Sequence, residues 1–181
     1  MQYQDCVLTL QDETEARPAA PTPDHGLRGA QLAGANINPQ TGLATDYLNH
    51  FNEAIMLLEM IGDCPDGLAD IRRWRPMSYR EHFLNSHFKG RELAIAAYAG
   101  ADPAARACLD NLASTMTTLI ETTRMNLCAD LPAQATGDVA ERAAAWLKQL
   151  VARAGAVING EIDLREIDAP QATADRLMLR A

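Results

Sequence analysis

Asp46, His50 and Glu53 follow one another at steps of four and three, which on a helix places two carboxylates and an imidazole on one side. Carboxylate and imidazole on a bundle helix are the donors of non-haem metal centres, where facing helices each supply ligands. His82, His87 and Glu92 are the available partners further along. Two features weigh against such a site. The chain has no Glu-x-x-His, and His82 and His87, five residues apart, are turned about 140° from each other on a helix. The favoured reading is a set of polar core residues bonded to loop backbone, or simply the solvated end of the first helix, with no cofactor. A metal site of His50, Glu53 and His82, holding iron, manganese or zinc, is the alternative.

The second chemical feature is a charge inversion. Ile71 to Glu92 holds six basic residues (Arg72, Arg73, Arg75, Arg80, Lys89, Arg91) against two acidic ones, so this stretch is +4 and the rest of the chain −12. Guanidinium forks match carboxylate and phosphate geometry, and Trp74, Tyr79, His82 and His87 are interleaved with them. The six basic residues and Trp74 are therefore the expected site for a small anion or an acidic protein surface. The competing reading is that these arginines neutralise the chain's own surplus of acids.

No nucleophile elbow, phosphate loop, dinucleotide fingerprint or HExxH motif occurs. Cys6, Cys64, Cys108 and Cys128 form no CxxC pair and read as reduced thiols. The hydroxyls of Ser114, Thr115, Thr117, Thr118, Thr122 and Thr123 read as packing groups that bond back to the preceding turn.

The elements that must position these groups are helical. From Gln11 to Gly42, prolines alternate with glycines and large apolar residues are few, which predicts an extended or partly disordered arm over residues 1–42, with Leu27, Leu32 and Ile37 able to lie along the body as a strap. Helical periodicity starts after Gly42, where the rows Leu48, Phe51, Ile55, Leu58 and Tyr47, Ala54, Leu57, Ile61 make a wide apolar face that stops at Gly62. Short helices are expected from Leu68 to Trp74, from Tyr79 to Phe88 behind a Ser78/Glu81 capping box, and around Leu93 to Gly100. Two long ones follow. The first opens on Asp102-Pro103 and ends at Leu131-Pro132; the second is expected to be capped by Asp138 with Glu141. A hairpin through Asn159-Gly160 is a weaker alternative for Val157 to Leu164. An all-α antiparallel bundle over residues 43–160, with a tail over 161–181 that can include a short helix, is the expected fold.

Net charge of −8 disfavours nucleic acid as a partner. Met1 to Glu13 holds no Lys or Arg and one short apolar stretch, and no run approaches bilayer length, so neither export nor membrane insertion is expected and the cytoplasm is the expected compartment. The function these observations favour is an interaction protein, self-associating or bound to a protein partner, rather than an enzyme. A metal- or small-ligand-binding bundle, oxidoreductase-like in chemistry, is the alternative.

Overall fold

The computed structural model describes residues 24–62, 67–127 and 131–162. Among them the fold is all-α: α1 (Asp24–Gly34), a 3-10 turn (Thr45–Leu48) running into α2 (Asn49–Met60), α3 (Gly67–Arg73), α4 (Tyr79–Asn85), α5 (Arg91–Ala99), α6 (Pro103–Leu127) and α7 (Ala133–Asn159). The expected tail helix, and Cys6, Cys64 and Cys128, lie outside the described residues. No helix among the described residues is long and apolar enough to cross a membrane.

α7 is the spine. It packs along α6 on one side and α2 on the other. Its buried positions are mostly small, Ala140, Ala143, Ala144 and Ala154, so neighbouring backbones can approach closely while Leu109, Met116 and Ile120 of α6 and Phe51, Ile55 and Leu58 of α2 supply the bulk. Each such fully buried large side chain contributes roughly 1.5–3 kcal/mol relative to exposure. α3 bridges α2 and α6, and α4 and α5 pack on each other, α4 also against the 3-10 turn.

The segment read as an extended arm is not extended throughout, because Asp24–Gly34 is helical. This stretch carries no proline, unlike the residues just before it. Beyond it, Leu32 and Ile37 are buried as the strap reading expects, and Leu43 and Ala44 join them; the side chain of Leu27 lies outside the described set. Three devices fix the strap. Asn38 Oδ1 accepts the backbone N–H groups of Gln40 (2.8 Å) and Thr41 (3.1 Å). Thr41 Oγ1 donates to the carbonyl of Ile158 at 2.6 Å, tying the strap to the end of α7. Gly42 takes φ +73°, with Ala97 and Ala101 against its back.

The ends of the long helices correct two expectations. α6 starts as its sequence implies, Asp102 Oδ1 accepting the N–H of Ala105 at 2.8 Å. α7, however, starts at Ala133 behind Pro132 rather than at Asp138. The good helix formers Ala133 and Gln134 extend the helix upstream, and Asp138 instead accepts Gln134 Nε2 at 3.0 Å as an i,i+4 pair. At the other end, Gly160 adopts φ +71°, and the N–H groups of Gly160 and Glu161 return to the carbonyls of Val157 and Ala156. Asn159-Gly160 is thus a helix C-cap, and no hairpin turn forms there.

Candidate functional site

Around the 3-10 turn and α2, a row of rings runs through the bundle: Trp74, His50, Phe51, Tyr47, Tyr79 and Tyr98. The amphipathic pattern of α2 sends His50 and Phe51 inward together. The capping box at Ser78 starts α4 so that Tyr79, His82 and Phe83 face the same core. Ser78 Oγ accepts the N–H of Glu81, while Glu81 Oε2 accepts both the N–H and the hydroxyl of Ser78 (2.8 and 2.7 Å). Those bonds hold the Glu81 carboxyl below its ordinary range.

The three ligands of the alternative metal site are not brought to one point. His50 is buried and Glu53 is exposed to solvent. His50 and His82 sit with ring centroids 6.3 Å apart, and the carboxylate that reaches an imidazole is Asp46, whose Oδ2 accepts His82 Nε2–H at 3.3 Å. Among the described residues no group of three or more His, Cys, Asp or Glu is arranged to hold a metal ion. His87 and Glu92 stay exposed. The donor set therefore does not fit iron, manganese or zinc as drawn from the spacing. His50 follows the favoured reading only in part: neither ring nitrogen makes a fully formed hydrogen bond among the described residues, although the backbone of Arg75, in the loop after α3, is the polar group that acts on the ring. Burial, with the neighbouring His82, lowers its pKa to about 4, so it sits in the core as neutral imidazole.

The basic segment divides by role. Trp74 is a core residue, stacked on His50 with its Nε1–H donating to the His50 carbonyl at 3.2 Å. Arg75 Nη1 donates to the carbonyls of Arg72 (2.7 Å) and Trp74 (2.9 Å), closing the C-terminus of α3. Arg124, on α6, donates to the same Trp74 carbonyl at 2.8 Å. Arg73 pairs with Asp70 one turn earlier. Arg72, Arg80, Lys89 and Arg91 are exposed and have no ion-pair partner among the described residues. Lys89 and Arg91 lie at the α4–α5 connection and Arg80 at the start of α4, with Leu84, 49% exposed, one helical turn after Arg80.

A cleft of about 520 Å³ lies where Tyr47, the Pro76–Ser78 turn, Tyr98 and the outer side of α6 meet. Tyr98 stacks on Tyr79 at 4.4 Å and donates its hydroxyl to Asp110 Oδ1 at 2.6 Å, while Tyr47 donates to the carbonyl of Met77 at 3.0 Å. Tyr79 accepts the N–H of Ala44 at 3.0 Å, which fastens the strap to α4. Sequence reasoning missed this cleft. The available signal was that three of the chain's four tyrosines, Tyr47, Tyr79 and Tyr98, fall on inward positions of successive helical segments.

No family model, curated protein or solved structure matches this chain.

Proposed function

We propose that the protein is a helical interaction module that self-associates, its basic α4–α5 face docking on the acidic surface of a second copy. The observation that carries this reading is that Arg80, Lys89 and Arg91 on α4, the loop after it and α5 are exposed and without ion-pair partners among the described residues, with the exposed Leu84 one helical turn after Arg80 on α4. A chain of net charge −8 with a +4 segment is an acidic partner for itself, because the remainder carries −12. Face and target are different surfaces, so the contact is head-to-tail in kind. Leu84 supplies an apolar anchor, and the basic residues of this face supply steering and register. A reducing compartment such as the cytoplasm suits this module, since Cys108, half-buried, is a free thiol.

Sedimentation velocity over a wide concentration range, at low and at half-molar salt, tests the proposal. The expected result is a mass that rises with concentration at low salt and falls toward the monomer at high salt. Arg80→Glu combined with Arg91→Glu is expected to abolish the association. A strict monomer under all conditions overturns the reading.

A further inference from the structure

The cleft beside Tyr47 is rich in hydrogen-bond acceptors and lacks a basic side chain: its walls include Glu81 and Asp110 but no Lys, Arg or His. Both carboxylates are held in place through one oxygen each. Asp110 Oδ1 accepts the Tyr98 hydroxyl, and Glu81 Oε2 accepts the hydroxyl and N–H of Ser78. The second oxygen of each has no partner among the described residues, so two oriented acceptors remain. Tyr47, only 4% exposed, spends its proton on the Met77 carbonyl, which leaves the lone pairs of its oxygen unused. Ser114 and Thr117 add hydroxyls from α6, and Pro76, Met77 and Ala113 add apolar wall.

Such a lining selects against anions and against ligands that only accept. It suits a group that is positively charged, carries several N–H donors and continues into a short apolar stem. Arg106 is engaged beside Tyr98, its guanidinium 5.8 Å over the Tyr98 ring and its Nη1 on the carbonyl of Ala99. We propose that this cleft binds a primary alkylammonium group, held by Asp110 and Glu81 with its stem against Pro76 and Met77. The field there agrees with this geometry: after burial, Asp110 and then Glu81 are what raise the Tyr47 hydroxyl to about 12, so both carboxylates act on one point. The volume lies within the range of small-ligand sites. A free alkyl amine and the side chain of a lysine in a peptide share this chemistry.

Calorimetric titration of the full chain with pentane-1,5-diamine, with an N-acetyl-lysine amide and with pentan-1-ol distinguishes them. Saturable one-to-one binding of an amine, with none of the alcohol, is the expected result. Tighter binding of the diamine identifies a small-molecule site; equal or tighter binding of the lysine amide identifies a peptide site. Asp110→Asn is expected to weaken the amine about tenfold or more. Ser114→Lys, an exposed helix position that tolerates lysine, places an ammonium of the chain's own in the cleft and is expected to abolish binding while far-ultraviolet circular dichroism is unchanged. Absence of saturable amine binding, or binding that both variants leave intact, overturns the proposal.

Discussion

The imidazole of His50 lies flat on the indole of Trp74, ring centroids 4.6 Å apart and 18° from parallel, and the indole N–H returns to the backbone carbonyl of His50 itself. The pair locks α2 to the end of α3 through both a face and an edge. It does so with a neutral ring, because burial and the neighbouring His82 disfavour an imidazolium there by more than the backbone of Arg75 favours it.

Stability is therefore expected to fall with acid in a defined window. The folded-state pKa of His50 is about 4 against an ordinary 6.5, so between these values the unfolded chain binds a proton that the native chain refuses. The contribution is complete above pH 6.5, declines as pH falls to about 4 and changes no further below it, amounting to roughly 3 kcal/mol in all. Urea unfolding across this range measures it. His50→Phe, which keeps an aromatic ring on Trp74, is expected to flatten the slope relative to the parent chain; an unchanged slope would place the acid sensitivity elsewhere.

Ser78→Ala is expected to cost about 1 kcal/mol, since it removes the acceptor for the Glu81 N–H and frees the Glu81 carboxylate from the start of α4. Thermal unfolding reads this directly. Glu81→Gln keeps an acceptor oxygen for Ser78 and should lose distinctly less.

How far the sequence disclosed these arrangements depends on how local each one is. Ser78 and Glu81 form a capping box within one turn, and Asp102-Pro103 begins a helix by chemistry of adjacent residues, so both were legible. The strap roles of Leu32 and Ile37 were legible as rare apolar residues in a poor stretch. Asp46 and His82 meet across 36 residues, and only the seating of α4 against the 3-10 turn makes Asp46, rather than Glu53, the carboxylate that an imidazole meets. Charge counting found the basic segment but could not separate its members. Arg75 folds back onto the carbonyls that end α3, where Arg124, outside the segment, reaches one of them only because α3 packs against α6. Asp138 satisfied the local rules for an N-cap, yet the helix begins five residues earlier, at the good helix formers Ala133, Gln134 and Ala135, and runs on through Thr136 and Gly137.

Gly42→Ala is expected to destabilise by roughly 2 kcal/mol or more. A side chain at φ +73° is strained in itself, and the new Cβ would stand 3.1 Å from both the Ala97 carbonyl and Ala101 Cα, which are backbone and cannot step aside cheaply. The loss should also loosen the Thr41 anchor on Ile158, one residue away. Hydrogen exchange at Thr41, Leu43 and Ala44 checks this. Protection equal to that of the parent chain would mean that the strap is held without the turn.

The division of the arginines gives the sharpest contrast in stability. Arg124 Nη1 and Arg75 Nη1 converge on the carbonyl of Trp74, which follows the last turn of α3 and has no amide of its own helix to accept from. Arg124 donates across from α6, so its loss removes a charge-assisted bond and the only guanidinium clamp between α3 and α6 among the described hydrogen bonds. Arg124→Met, which keeps the aliphatic stem, is expected to cost roughly 1–2 kcal/mol. Arg72→Met removes an exposed charge with no ion-pair partner among the described residues and should stay within about 0.5 kcal/mol of the parent. Denaturant midpoints for the two variants measure the contrast. Equal losses would mean that the clamp on Trp74 contributes nothing beyond surface charge.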